Sequence, residues 1–130
     1  MSKSLLLDTS VIIDYLRRND KGNNPIISLS KIYKYKISII TRTELYVGRS
    51  IWENPQAKRT FLTLLSNIKI IPLTRKISEV AGNIKSKHNS IDLLDSIIAA
   101  TAINQKLELV TFNIKDFEKI KGIELFKLPN

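Results

Sequence analysis

Five short apolar runs of strand character alternate with longer stretches of helical periodicity along the whole sequence. A chain patterned this way buries its strands best as a mostly parallel sheet with helices on both faces. The expected class is therefore α/β: a three-layer α/β/α sandwich around a five-stranded, mostly parallel sheet with right-handed crossovers. Strands are expected at Ser4–Leu7 and at residues 36–40, 68–72, 109–111 and 123–126. Helices are expected at 11–18, 26–35, 42–52, 56–66, 75–87, 91–105 and 114–120.

Turn and cap residues support these boundaries. The stretch NDKGNNP at 19–25 carries the densest loop chemistry in the chain. Thr41, with Glu44 three residues on, has the spacing of a capping box for the third helix. Glu53-Asn54-Pro55 breaks that helix, Thr74 caps the one at 75–87, and Asn89 and Ser90 offer a cap for 91–105. No repeat or linker interrupts the pattern, so residues 1–130 read as one domain, long enough to bury a core without staples.

Composition removes several chemistries. There is no cysteine, which excludes disulfide scaffolds, thiol catalysis and cysteine-rich zinc sites. The single histidine, His88, makes a histidine-based metal site or a Ser-His-Asp triad hard to build. No run of apolar residues is long enough to span a bilayer. Asp8 interrupts the opening apolar stretch too early for a signal-peptide core, so a cytoplasmic protein with no membrane partner is expected. Twenty-one basic against twelve acidic residues give a net charge of +9. That charge points to a polyanionic partner, or simply keeps the chain soluble.

With so few acids, their positions are informative. Asp8 stands at the end of the first strand, Glu44 one turn into the helix after the second, and Asn113 and Asp116 directly after the fourth. In an open parallel sheet the carboxyl ends of the strands line one crevice, where ligands bind. Asp95 interrupts the apolar run LLDSIIAATAI. A carboxylate there is paired with a basic residue or holds a cation, because burying it bare costs several kcal/mol. Asp92, one turn earlier, reads either as a further acid of the crevice or as a helix N-terminal residue favoured by the macrodipole. Ser10 and Thr111 read either as supports for ligands or as a cap and a strand-packing residue. Oxygen-only donors suit Mg²⁺ or Mn²⁺ and argue against zinc. An acidic crevice on a strongly basic chain fits metal-dependent cutting of a phosphodiester backbone. Lys115, Lys119 and Lys121 near its mouth either contact flanking phosphates or form a solvated face.

Four stretches in order resemble the PIN-domain family, and within it the VapC-type toxins of toxin–antitoxin pairs. LLLDTSVIIDYLRR is similar to the family's opening strand with its first acid, Asp8. TRTELYVG resembles the second motif, with Glu44 as its acid and Gly48 closing it. DSIIAATAINQKLELVTFN resembles the third and fourth motifs, with Asp95 as the third acid, and NIKDFEKIKGIELF the tail after the fourth strand. The resemblance implies a Mg²⁺- or Mn²⁺-dependent endoribonuclease acting on RNA, a homodimer, and a small cognate antitoxin that neutralises it. It implies that Asp8, Glu44 and Asp95 take the three acidic positions, with Asp8 and Asp95 on one metal. The fourth position departs from the fullest pattern: Asn113 stands where many relatives have aspartate, and Asp116 is the alternative.

Other α/β folds with acids at strand ends fail on named residues. A receiver domain needs an aspartate after the third strand, where this chain has Ile71-Pro72-Leu73-Thr74. A haloacid-dehalogenase-like phosphatase needs a second aspartate where Ser10 stands, and a dinucleotide-binding domain a glycine-rich first turn. Two functional alternatives remain: a PIN-like module that binds RNA or protein without cutting, and a housekeeping RNA-processing nuclease.

Overall fold

In the computed structural model, which describes residues 3–128, the first strand, β1 (Ser4–Leu7), lies inside a parallel sheet. Its neighbours are β2 (Lys34–Ser38) and β4 (Glu108–Val110), and β3 (Ile68–Ile71) flanks β2, giving the order β3-β2-β1-β4. All three pairings are parallel, with Leu5 opposite Tyr35 on one side and Glu108 on the other. Strand side chains alternate between faces, and β1 shows the result. Leu5 and Leu7 join one core with Val11, Ile12, Ile37, Phe61 and Val110, whereas Leu6 joins the other with Ile71, Ile77, Ile98, Leu109 and Phe117.

The first core is covered by α1 (Thr9–Arg17), α2 (Pro25–Leu29), α3 (Ile39–Tyr46), α4 (Arg49–Glu53) and α5 (Pro55–Leu65). The second is covered by α6 (Arg75–Lys87), α7 (Leu93–Gln105) and α8 (Ile114–Phe117). Helices on both faces of a parallel sheet make the three-layer sandwich expected. From Ser96 to Ala102 every residue of α7 is buried, as a helix apolar on all sides must be. Among the described residues no helix is long and apolar enough to cross a membrane.

Five expectations change. The run at 123–126 is not a fifth strand: it meets the sheet through one bridge, Leu109 to Leu125. Two backbone bonds make that bridge, Leu109 N–H to the Glu124 carbonyl and Phe126 N–H to the Leu109 carbonyl, both 2.9 Å. Because β4 is only three residues long, it offers the chain no ladder to extend. Residues 26–35 are not one helix, since α2 ends at Leu29 and the alternation that buries Tyr35 and Ile37 begins β2 at Lys34.

Third, the capping box at Thr41 and Glu44 does not form. Ser38 caps α3 instead, its hydroxyl accepting from the Ile40 N–H at 3.0 Å. Fourth, the helix expected across 42–52 is divided at Gly48, where α3 gives way to α4. Fifth, α7 is capped by Asp92 rather than by Asn89 or Ser90.

Candidate active site

Asp8 follows the last residue of β1 and is the N-cap residue of α1, yet its side chain makes no capping hydrogen bond. It is only 2% exposed. Its Oδ2 instead accepts two hydroxyls, from Ser10 and from Thr111, each at 2.7 Å. Both hydroxyls are themselves held. Ser10 Oγ accepts from the Phe112 N–H at 3.3 Å, and Thr111 Oγ1 from the Asn113 N–H at 2.9 Å. The carboxylate is thus fixed from two strand ends by charge-assisted bonds, the stronger kind. The sequence left Ser10 and Thr111 with two readings each; their contacts make them supports of Asp8.

Thr111 also predicts a stability effect. Thr111→Val keeps the shape but strips a hydrogen bond from a buried carboxylate and leaves the Asn113 N–H without its acceptor. We expect a loss of about 1–3 kcal/mol by urea denaturation, and an unchanged midpoint would mean the Asp8 network contributes nothing to the fold.

Glu44 reaches the same crevice from α3. Because that helix begins at Ile39, Glu44 lies in its second turn and not at a capping position. Thr9 donates to Glu44 Oε1 at 2.7 Å and shares a 3.0 Å hydrogen bond with the fully buried Thr41. Burial pushes the Glu44 carboxyl up, with Asp8 and Asp92 adding to the rise and the Thr9 bond opposing it. The sequence reading gave Thr41 only a capping role and did not set Thr9 beside Glu44. The signal was available, since each is a hydroxylic residue one to three places from an acid, in DTS and TRTE.

Asp95 occupies the first turn of α7, partly buried. Burial, then the charges of Asp92, Asp8, Glu44 and Asp116, push its carboxyl up to about 7. Four acids from separate segments therefore act on one another across one crevice at the carboxyl ends of the strands. Asp92 has the structural role: its Oδ1 accepts the Asp95 N–H at 2.8 Å as the α7 cap. Asn113 and Asp116 are exposed at the rim, where they line a cavity of about 400 Å³ with Phe112, Ile114 and Lys115. Asn113 meets the Asp8 network through its backbone N–H. Lys119 is tethered to Ser90 at 2.9 Å, which brings one of the three mouth lysines against the segment before α7.

The donor set is entirely oxygen. Among the described residues, the ion pairs are Lys3–Glu108, Arg18–Asp14 and Arg49–Glu53, so none of Asp8, Glu44, Asp95 or Asp116 has a basic partner. The alternative that Asp95 is neutralised by a lysine or arginine accordingly finds no support. Among the same residues no three of these side chains converge tightly enough to hold an ion unaided. Oxygen donors are the ligand type of hard cations such as Mg²⁺, which keeps several waters and takes only one or two carboxylates directly. Mutually repelling, unpaired carboxylates of this kind fit a divalent cation and would be costly without one.

A parallel-sheet sandwich with an acidic crevice at its strand ends defines a class, and the chain belongs to the PIN-domain family, whose model matches residues 5–123. Within that family its curated relatives carry the VapC name. Ribonuclease VapC10 of Mycobacterium tuberculosis is 32% identical, the match covering 92% of this chain and 90% of the relative. Among solved structures, VapBC2 from Rickettsia felis bound to a promoter DNA fragment superposes with a TM-score of 0.80 at 26% identity, covering 97% of this chain and 99% of that one. A toxin–antitoxin complex from Klebsiella pneumoniae superposes with a TM-score of 0.72 at 32% identity, over 92% and 94% of the two chains.

Proposed function

We propose that this chain is a divalent-metal-dependent endoribonuclease and the toxin of a VapBC-type pair. The observation that carries the reading is the unpaired crevice of Asp8, Glu44, Asp95 and Asp116 on a chain of net charge +9. The relatives support it, being named ribonucleases, and the similar solved structures are of toxin–antitoxin complexes.

Asp8 and Asp95 would hold a Mg²⁺ or Mn²⁺ ion, with Glu44 and either Asp116 or the Asn113 side chain completing the set. A divalent ion supplies positive charge and Lewis acidity at the scissile phosphate. The chain's own residues do the rest. Ser10 and Thr111 hold Asp8 in one orientation, so little rearrangement accompanies binding. Thr9 occupies Glu44 Oε1, which leaves Oε2 to orient water against the phosphate. Lys115 and Lys119 stand at the rim, where flanking phosphates pass. No nucleophilic side chain is needed, in keeping with a chain that lacks cysteine. The toxin reading adds a small antitoxin as partner, a homodimer as the assembly and the cytoplasm as the place of action, and it treats residues 1–130 as one catalytic domain.

The test uses purified protein and total cellular RNA with Mg²⁺, with Mn²⁺ or with EDTA, beside Asp8→Asn. Discrete fragments that need the metal and vanish in the variant are expected. Absence of cleavage with both metals, alongside RNA or protein binding, would favour the non-catalytic module.

A further inference from the structure

Phe112 lies in the bend between β4 and α8, flanked by Thr111, which is buried, and yet it is 43% exposed. A single exposed aromatic is ordinary. What surrounds this one is not. Phe112 lines two cavities. One is the rim cavity it shares with Asn113, Lys115 and Asp116. The other, of about 240 Å³, is lined by Arg18, Asn23, Pro25, Ser28, Phe112 and Leu128. That second lining combines an aromatic face, an amide, a hydroxyl and a guanidinium, the groups that recognise a planar heterocycle joined to a phosphate.

The backbone fixes Phe112 relative to the chemistry. Its N–H donates to Ser10 Oγ, and Ser10 donates to Asp8 Oδ2, so two hydrogen bonds link the aromatic residue to the most buried acid of the crevice. Arg18 is also oriented: Asp14 accepts from its Nε at 2.5 Å and is itself held by Asn24 Nδ2 at 2.9 Å. A guanidinium pinned through Nε keeps its two terminal amino groups as donors.

We propose that Phe112 is the platform of a nucleotide subsite. Its ring stacks on an unpaired base next to the scissile phosphate, the base enters the cavity beside Asn23 and Ser28, and Arg18 takes the adjoining phosphate. This rests on the endoribonuclease reading and assigns it a residue that selects the cleavage position. Stacking on an aromatic side chain requires the base to leave any helix it belongs to.

The test compares Phe112→Ala, Phe112→Leu and Phe112→Trp with the parent in the full chain. One arm measures binding of a fluorescein-labelled ten-nucleotide single-stranded RNA by anisotropy in EDTA, where cleavage is not required. The other measures kcat and KM on a short RNA carrying a mapped cut, intact or with an abasic residue beside the cut. We expect Phe112→Ala and Phe112→Leu to weaken binding and kcat/KM by about 5- to 150-fold, chiefly through KM, while Phe112→Trp retains both. Abasic RNA should bring the parent down to the level of Phe112→Ala and cost the variant nothing further. Unchanged binding in Phe112→Ala, full rescue by leucine, or additive losses with abasic RNA would each overturn the subsite. So would weaker binding of a protein partner by Phe112→Ala with its RNA kinetics intact. A parent that binds the RNA in a Phe112-dependent way but cuts nothing with Mg²⁺ or Mn²⁺ would instead overturn the endoribonuclease reading and the cleavage-selecting role, and leave Phe112 a base-binding platform alone.

Discussion

Asp95→Asn is expected to stop RNA cleavage while making the metal-free protein more stable. The isostere removes one negative charge from a crevice where burial and four neighbouring carboxylates already hold Asp95 at about 7, against an ordinary 3.8. Cleavage should fall by at least about 1,000-fold if, as proposed, Asp95 is a principal ligand of the cation. The stability change has a sign that pH reveals. Between about 4 and about 7 Asp95 holds more of its proton in the native parent than in the unfolded chain, so its contribution to stability falls as pH rises through that window and is level above it. Asparagine does not titrate. The variant should therefore match the parent near pH 4 and exceed it above pH 7 by on the order of 2 kcal/mol, allowing for solvent screening at a partly exposed site. Added Mg²⁺ should reverse the order, since a ligand at about 100 times its Kd stabilises the parent by about 2.7 kcal/mol and leaves the variant unmoved. Urea titrations at several pH values, with EDTA and with Mg²⁺, measure all three effects. A variant that cuts at the parent's rate, or that still gains stability from Mg²⁺, would remove Asp95 from the metal set.

Asp95 and Asp8 were legible because each broke a pattern. Asp95 stands out in an apolar helix, and Asp8 ends an apolar strand, so their burial follows from their neighbours. Their order along the chain then matched the PIN-domain motifs. What the sequence could not decide were contests between equivalent local signals. Ser38 and Thr41 are both good caps three residues apart, and the choice between them turns on where β2 ends, which its pairing with β3 up to Ser38–Ile71 determines. That choice moves Glu44 from a capping position to the face where Thr9 can reach it. The alternation KYKIS was readable as a strand from Lys34, but apolar residues at helical spacing in 26–35 competed with it. The run at 123–126 has strand composition, and only the shortness of its neighbour β4 limits it to a bridge. Asn113 and Asp116 were left as alternatives by the sequence, and both lie on the exposed rim within one cavity.

The largest expected effect on the fold is that of Phe61→Ala, and it reaches the site. Phe61 is 0% exposed and is the one fully buried residue of α5. Its ring meets that of Tyr46 edge-to-face, centroids 4.8 Å apart at 89°, and Tyr46 in turn packs on Trp52 at 5.8 Å. This aromatic chain joins α5 to the end of α3 and to α4, so α3, which carries Glu44, rests on it. Truncation removes the ring's burial, leaves a cavity that the sheet behind it cannot fill, and ends the Tyr46 contact; together these cost about 3–5 kcal/mol. Against a total of about 5–15 kcal/mol for a domain of this kind, that is a large part of the whole. The variant should unfold at a markedly lower urea concentration and, where still folded, should bind Mg²⁺ more weakly than the parent because Glu44 is less firmly held. Phe61→Leu, which keeps most of the volume, should recover the larger share of the stability. An Ala variant with the parent's midpoint would show that α5 does not support α3, and a lower midpoint with unchanged Mg²⁺ affinity would separate the fold's stability from the position of Glu44.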